Sequence, residues 1–215
     1  MSRVIGLMGE SGSGKTTSMR NLPPEETFYI DCDGKGLSWK GWREQYNKEK
    51  KNYWKTDRQE IILTLLNKIN ENDECKNIKY VVIDTLNGIM VADEVRRMKE
   101  KGFDKWQDLA QCIWELLDYL YTLRDDLTIF IICHSQTQKE DDGYTFTRIK
   151  TSGKKLDKLN IESKLTTVLL ADIKDGRYIF HTKADKSTVK TPLGAFEEDE
   201  IDNDIINVIE ALKEY

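Results

Sequence analysis

The sequence predicts an α/β fold, in which a mainly parallel sheet is flanked by helices and followed by a C-terminal antiparallel hairpin. Several continuous apolar stretches end in a polar residue, as strands do when both faces of a parallel sheet are covered. Stretches with the apolar spacing of amphipathic helices separate these strands. The 215 residues contain no internal repeat and no linker, so we predict a single domain over residues 1–215.

A glycine-rich segment follows the first predicted strand, residues 4–8. Residues 9–16 read Gly-Glu-Ser-Gly-Ser-Gly-Lys-Thr and match the phosphate-binding pattern G-x-x-x-x-G-K-[ST]. We expect a helix to open at residues 16–20, because loop amides and a helix N-terminus then surround an anion. Lys15 would reach the β- and γ-phosphates, and the Thr16 hydroxyl would ligate Mg²⁺. The pattern predicts a site for ATP with Mg²⁺, formed by Gly9, Glu10, Ser11, Gly12, Ser13, Gly14, Lys15, Thr16 and Thr17.

The second predicted strand covers residues 27–31 and ends in two carboxylates, Asp31 and Asp33. They lie at the C-terminal end of a parallel strand, the side on which open α/β sheets bind ligands. A solvated turn is the alternative interpretation of this pair. Residues 36–54 look irregular and carry five aromatic side chains. Either one of these stacks on the nucleotide base, or they cover an edge of the sheet.

The third predicted strand, residues 78–85, is a continuous apolar run that ends with Asp84 and Thr85. An apolar strand that ends in aspartate, in a chain with a phosphate-binding loop, is typical of the Walker B pattern. We therefore expect Asp84 to hold the Mg²⁺ shell, usually through water. A helix over residues 61–69 precedes this strand, and residues 57–60 resemble a capping box at its start.

Residues 86–101 predict an amphipathic, basic helix, and residues 102–104 are expected to break it before a long helix begins near Trp106. Residues 127–133 predict another buried strand, which is followed directly by His134. His134 either senses the γ-phosphate or is hydrogen-bonded at the strand end. Residues 135–164 form a long basic loop, in which residues 144–149 alternate like the arm of a hairpin.

The C-terminal part predicts two strands, residues 165–173 and 177–183, that are joined by a two-residue turn at Asp175 and Gly176. Three lysines follow, and residues 200–215 predict a terminal amphipathic helix.

The composition is that of a globular protein, with 33% charged and 39% hydrophobic residues and a net charge of −5. This balance argues against a basic coat over the whole surface but allows a local basic groove. We expect no membrane span and no signal peptide. The four cysteines form no C-x-x-C pattern, so we expect reduced thiols and a cytoplasmic protein.

The order of these elements resembles the RecA-like P-loop NTPase core over nearly the whole chain. It is most similar to small phage RecA-core proteins, which are described as single-strand-annealing ATPases and often labelled phage nucleotide-binding or AAA-domain proteins. Residues 29–34, residues 133–136 and the stretch from Lys183 to Gly194 carry this narrower resemblance. It implies a DNA-stimulated ATPase that acts on single-stranded DNA in phage recombination or replication, a homo-oligomer, and the bacterial host cytoplasm.

The resemblance also implies roles for single residues. Asp33 stands where RecA proteins carry the glutamate that polarises the attacking water, with Asp31 as second choice. His134 stands where RecA carries a glutamine beside the phosphate. RecA supplies lysines to the neighbouring subunit from a region comparable to that of Lys183, Lys186 and Lys190, of which we favour Lys183 and Lys190. The resemblance further implies that strand 127–133 lies between strands 4–8 and 81–84.

For DNA, we expect residues 135–164 to face the strand together with Arg96 and Arg97, through phosphate contacts of lysines such as Lys154 and Lys155. Tyr144 or Phe146 would stack on bases. Two other functions remain open. A small-molecule kinase has this size and this loop, although it needs lid arginines that the chain lacks. The second is a nucleotide-gated binding or loader protein with little turnover.

Overall fold

The computed structural model describes residues 1–102, 104–139, 145–153, 158 and 160–215. Its centre is a nine-stranded mixed sheet with the order β3-β2-β4-β5-β1-β7-β8-β9, and β6 pairs with the extended end of β5. The strands are β1 Arg3–Gly9, β2 Thr27–Asp31, β3 Tyr53–Lys55, β4 Tyr80–Asp84, β5 Thr128–Lys139, β6 Thr145–Ile149, β7 Thr167–Lys174, β8 Arg177–His181 and β9 Glu200–Asp202.

Strand β5 lies between β1 and β4 and runs parallel to both, which confirms the predicted order. In the register of the sheet Gly9 stands opposite His134, and Asp84 stands opposite Ile132. The ends of the three strands therefore bring the glycine-rich loop, His134 and Asp84 to one edge of the sheet. Ligands of parallel sheets bind at this carboxyl edge.

Helices cover both faces of the sheet, as predicted. Buried side chains of the three long helices, such as Ile62, Met90 and Ile113, pack in one core cluster with β-strand residues. The other face is covered by shorter elements through Met19 and Ile205. The helices are α1 Trp42–Gln45, α2 Gln59–Glu71, α3 Leu86–Arg96, α4 Asp104–Leu120 and α5 Ile205–Ala211.

The helix that we expected after the glycine-rich loop is only a five-residue 3-10 helix, Thr17–Asn21. Leu22 follows it in an extended conformation, with ψ 137°. Residues 23 and 24 are prolines, and a proline disfavours the helical conformation of the residue before it. The chain therefore leaves the helix early and turns into β2.

The predicted capping box at residues 57–60 does not form. Arg58 is the N-cap of α2 and makes no side-chain capping bond. Asp57 instead forms an ion pair of 2.8 Å with Arg96, at the end of α3. An ion pair with the end of α3 therefore engages the side chain that the local pattern assigned to the cap.

Three segments contain more strand than the sequence predicted. Residues 53–55 form β3 at one edge of the sheet, within a stretch that we expected to be irregular. Residues 135–139 continue β5 and pair with β6, so the predicted long loop is partly a hairpin. Residues 200–202 form β9, and the terminal helix is confined to α5. The turn at Asp175 and Gly176 is confirmed, with φ of 52° and 75°.

All four cysteines are free thiols, of which Cys32 and Cys133 are buried. Among the described residues, no helix has both the length and the apolar character needed to cross a membrane.

Candidate functional site

The glycine-rich loop begins where β1 ends, and two of its glycines are needed for steric reasons. A Cβ atom on Gly9 would lie 2.5 Å from Ser13 Oγ and 2.6 Å from the carbonyl oxygen of Ala171. Gly14 has φ of +91°, and a Cβ atom there would lie 2.8 Å from the ring of Tyr178. The loop is therefore packed tightly between β1, β7 and β8 in a conformation that L-residues with side chains rarely adopt.

Lys15 is folded into this loop. Its Nζ donates hydrogen bonds to the carbonyl oxygens of Gly9, at 2.8 Å, and Glu10, at 2.7 Å. The side chain is buried, and burial lowers the pKa of Lys15, although the nearby Asp84 carboxylate acts in the opposite direction. The amine is thus held at the lip of the loop, where it can reach an anion that the loop amides surround.

Asp84 is the centre of a buried polar group at the end of β4. Its Oδ2 accepts hydrogen bonds from Thr16 Oγ1 and from Tyr29 Oη, both at 2.7 Å. Its Oδ1 is buried and has no hydrogen-bond partner among the described residues. Burial raises the pKa of Asp84, while the two hydrogen bonds lower it.

Thr16 and Asp84 fit a Mg²⁺ site of the kind that their motifs predict. A buried carboxylate oxygen without a partner is costly, and a water-mediated or direct cation contact would satisfy it. The Thr16 hydroxyl is already beside the same carboxylate. Thr16 and Asp84 are the groups that would hold the ion together with phosphate oxygens and water. No cluster of three or more His, Cys, Asp or Glu side chains forms a metal site in the described part of the chain.

Asp33 lies beside the residue that follows Asp84. Its Oδ1 accepts a hydrogen bond of 3.0 Å from Thr85 Oγ1, and its Oδ2 forms an ion pair of 2.5 Å with Lys35. The approach of Asp33 requires glycine at position 88, because a Cβ atom there would lie 2.5 Å from Asp33 Oδ1. The Asp84–Thr85 peptide bond is cis.

Asp31, the second choice for orienting water, is used by the protein itself. Its Oδ1 accepts from the backbone N–H of Gly34, and its Oδ2 accepts from the N–H of Gly36 and from Tyr53 Oη, at 2.6–2.8 Å. Asp31 is buried and holds the loop of residues 31–36 in shape. The contacts of Asp31 are therefore structural, within its own loop and to β3, and a role in orienting water stays a prediction.

His134 lies at the end of the buried part of β5, and its side chain is half-buried and lines the same cleft. Its backbone N–H donates to Asn87 Oδ1 at 2.7 Å, and Asn87 Nδ2 donates to the carbonyl oxygen of Lys150. Burial lowers the pKa of His134, and the positive charge of Lys15 lowers it further. Asn87 thus connects the site to the base of the β5–β6 hairpin, which the sequence did not indicate.

The cleft at this edge has a volume of about 880 Å³. The C-terminal segment forms one wall, which sequence reasoning missed because no motif marks it. Arg20 donates hydrogen bonds to the carbonyl oxygen of Asn203 and to the Asp204 carboxylate, and so holds this segment against the loop. The lining residues are Ser11, Gly12, Gly14, Lys15, Thr16, Thr17, Arg20, Lys35, Ser38, Thr85, His134, Tyr178, Asp202, Asn203, Asp204 and Asn207.

Lys183 and Lys190 lie outside this cleft in the described structure of the single chain. Lys183 is exposed and forms an ion pair of 2.6 Å with Asp199. Lys190 is half-buried, and its backbone forms a bridge with Val168 on β7. Burial lowers the pKa of Lys190. Neither lysine is among the residues that line the cleft of the single chain.

Only some of the residues predicted to contact DNA are described by the structure. Arg96 pairs with Asp57 and Asp93, and Arg97 pairs with Asp93, Glu100 and Asp108, so the charge of both arginines is balanced on the surface of α3. Their placement at DNA stays a prediction, and a DNA phosphate would have to compete with these carboxylates. Phe146 lies on β6. Tyr144, Lys154 and Lys155 lie outside the described residues.

Comparison with known protein families finds one match, to a family model described as AAA domain, over residues 1–192. The matched stretch includes the glycine-rich loop, Asp33, Asp84, His134 and both favoured lysines. It ends before Asn203 and α5, which nevertheless form one wall of the cleft. No curated protein matches the chain.

Proposed function

Because this chain belongs to the AAA-domain family, we propose that it binds ATP with Mg²⁺ in the cleft at the carboxyl edge of the sheet and hydrolyses it. The observation that supports this most strongly is the contact between Thr16 and Asp84 beside Lys15, with Asp84 Oδ1 buried and without a partner among the described residues. These are the loop hydroxyl and strand-end aspartate that P-loop NTPases use for Mg²⁺.

Different residues of the chain have different roles in hydrolysis. The loop amides and Lys15 bind the β- and γ-phosphates, and Lys15 stabilises the charge that spreads over the transferring phosphoryl group. Bound Mg²⁺ would neutralise phosphate charge. Asp33, which Thr85 and Lys35 hold in place, accepts a hydrogen bond from the attacking water and orients it. His134 lies between the loop and the β5–β6 hairpin and contacts the γ-phosphate.

The direct test is release of inorganic phosphate from ATP, with and without Mg²⁺ and with and without single-stranded DNA. We expect Mg²⁺-dependent release that DNA increases. Transfer to a nucleoside monophosphate without free phosphate would identify a kinase instead. Tight ATP binding with negligible release under every condition would identify a nucleotide-gated binding or loader protein.

Replacing Asp84 with asparagine is expected to retain nucleotide and to lose Mg²⁺-dependent turnover. The amide keeps the size of the side chain and its bonds to Thr16 and Tyr29 but removes the charge that attracts the cation, so turnover should fall about a hundredfold or more. Phosphate release and binding of a fluorescent ATP analogue measure the two effects. Asp73→Asn, a change in an exposed surface pair, is the matched control. Wild-type turnover in Asp84→Asn would contradict the metal assignment.

The same proposal assigns the ATPase a role on single-stranded DNA in phage recombination or replication, as a homo-oligomer in the bacterial cytoplasm. The resemblance to RecA-core proteins supports it. The β5–β6 hairpin adds physical support, since β5 runs without interruption from His134 to Lys139. Lys139 and Lys150 are exposed at this hairpin. DNA bound at the hairpin would act on the γ-phosphate through β5, because this one β-strand reaches from the hairpin to His134.

We propose that the neighbouring protomer supplies a further cation to the γ-phosphate, from Lys183 or Lys190, as the resemblance to RecA implies. If so, Lys15→Ala subunits, which are inactive by themselves, still carry an intact Lys183 and Lys190. These lysines should complete the cleft of neighbouring Lys183→Ala or Lys190→Ala subunits, which are also inactive by themselves. At equal amounts about a quarter of the interfaces in a head-to-tail assembly would combine an intact loop with an intact lysine. Phosphate release from the mixture should therefore recover in part.

Light scattering must first show that the two variants assemble together. In a control mixture, Lys15→Ala is combined with Lys174→Ala, which changes an exposed lysine that pairs with Glu200. This mixture shows the activity of a partner variant that needs no rescue. If co-assembled Lys15→Ala and Lys183→Ala or Lys190→Ala subunits recover no activity at any ratio, these lysines do not act across an interface.

A further inference from the structure

A basic surface lies at the β3 edge of the sheet. The segment from residue 40 to residue 55 carries six cations and two glutamates, a net charge of +4 in a chain whose net charge is −5. All six cations are exposed, and none forms an ion pair with a described residue. By contrast, Arg96 and Arg97 are each paired with two or more carboxylates. The six cations are Lys40, Arg43, Lys48, Lys50, Lys51 and Lys55.

Aromatic side chains lie among these cations. Trp54, on β3, is 47% exposed, which is unusual for so large an apolar side chain. Trp42 lies under the guanidinium of Arg43, with 4.7 Å from Cζ to the ring centroid. We call the surface formed by residues 40–55 the β3 surface. It offers flat rings and unpaired positive charges side by side.

A hollow of about 810 Å³ adjoins the β3 surface, between the start of β2 and α2. Its lining mixes apolar side chains with polar ones, and four lysines against two glutamates are among the polar ones. The rings of Phe28, Tyr53 and Trp54 and the side chains of Leu65, Ile69 and Ile78 form the walls, and Lys48, Lys50, Lys51 and Lys68 stand at the rim with Glu25 and Glu74. This hollow is separate from the nucleotide cleft and shares no lining residue with it.

We infer that the β3 surface binds single-stranded nucleic acid, with phosphates on its unpaired lysines and with a base stacked on Trp54. Proteins that bind single strands without sequence preference combine a positive groove with exposed aromatic rings. A duplex hides the faces of its bases, so an exposed ring between lysines favours a single strand. The hollow beside Trp54 has aromatic and aliphatic side chains in its lining, and its volume of about 810 Å³ is room for an unstacked base. This site is distinct from the β5–β6 hairpin.

The β3 surface also contacts the loop that carries Asp33. Tyr53 Oη donates a hydrogen bond of 2.6 Å to Asp31, which holds the loop of residues 31–36 through the N–H groups of Gly34 and Gly36. Lys55 Nζ donates to the carbonyl oxygen of Gly34 at 2.9 Å. Movement of β3 on binding nucleic acid would therefore shift Asp33. This step rests on the proposed ATPase function, and it makes β3 a route by which DNA stimulates hydrolysis.

The binding test uses the full chain without ATP and a fluorescently labelled oligothymidylate, so that it does not depend on hydrolysis. Lys48→Glu combined with Lys50→Glu should weaken binding and reduce the slope of log K against log salt by about 1.4, the loss of two phosphate contacts. Trp54→Ala should weaken binding at least about fivefold, the lower end of what one stacked base contributes. Trp54→Phe keeps an aromatic ring and should recover most of the affinity.

Lys99→Glu combined with Lys101→Glu is the matched control, since both lysines are exposed, lie between α3 and α4, and change the net charge by the same amount. The inference is overturned if this control weakens binding as much as the Lys48 and Lys50 variant. It is also overturned if the wild-type chain binds oligothymidylate and the β3 variants bind it equally well, a result that leaves the ATPase and the hairpin untouched. If the β3 variants lose binding to phosphatidylserine vesicles but keep binding to oligothymidylate, the occupant is an anionic membrane, and the inference is likewise overturned.

Tyr53→Phe tests the route to Asp33, since it removes only the hydroxyl that contacts Asp31. We expect affinity for oligothymidylate within about twofold of wild type and loss of most of the DNA stimulation of phosphate release. Thermal unfolding measured alongside shows whether the loop has merely been destabilised, in which case release without DNA falls as well. Full DNA stimulation in Tyr53→Phe would refute the coupling.

Discussion

Replacing Lys15 with alanine should reduce phosphate release from ATP about a hundredfold or more, because it removes the cation that lies against the transferring phosphoryl group. ATP binding should weaken about tenfold or more, since a hydrogen bond to a charged group contributes about 1.5–3 kcal/mol. The side chain is buried in the loop and donates to two loop carbonyls, so its amine is already placed where the phosphates enter. Phosphate release and binding of a fluorescent ATP analogue measure the two losses.

Thermal unfolding of Lys15→Ala is needed beside the kinetics, because the two carbonyl oxygens lose a donor. Lys174→Ala, which changes an exposed lysine on β7, is the matched control and should hydrolyse ATP at the wild-type rate. A folded Lys15→Ala protein that hydrolyses ATP at the wild-type rate would show that the nucleotide does not bind in this cleft.

The sequence predicted those parts of the fold that depend on local pattern. Strand β2 was predicted with its observed bounds, and the buried strands that end at Gly9 and Asp84 were found because both faces of each are covered. A continuous apolar run is then the only pattern that such a strand can have. The order of β1, β5 and β4 is a different matter. It depends on how the strands assemble, and only the resemblance to RecA-like proteins predicted it.

The errors arose where a distant part of the chain competes for a side chain. Asp57 pairs with Arg96 instead of capping α2. A contact that the sequence did not indicate is the hydrogen bond that Asp31 accepts from Tyr53 of the adjacent strand. The wall of the cleft around Asn203 depends on contacts with Arg20, far away in sequence. Neither periodicity nor a motif reports such contacts, since they are properties of the assembled sheet.

Asp33 is the carboxylate that we expect to orient the attacking water, because both oxygens of Asp31 already accept hydrogen bonds from its own loop and from Tyr53. In the described structure both hydrogen-bonding partners of Asp33 are side chains, those of Thr85 and Lys35. A water between Asp33 and the γ-phosphate would compete only with these two side chains for the carboxylate. Gly88 leaves the space in which Asp33 sits.

Asp33→Asn should therefore slow phosphate release about a hundredfold to ten-thousandfold, the range expected for loss of a general base. Binding of ATP should change little, because Asp33 acts in the transition state and the phosphates are held by the loop. Gly88→Ala should lower the rate in the same direction, since the new Cβ would lie 2.5 Å from Asp33 Oδ1 and force it to move. Asp57→Asn, in a surface pair, is the control that should leave the rate unchanged.

Single-turnover phosphate release with enzyme in excess, together with binding of a fluorescent ATP analogue, separates the effect on hydrolysis from the effect on ATP binding. Equal loss of binding and of turnover in Asp33→Asn would make Asp33 a residue of the fold or of the metal site and would remove it from the chemical step.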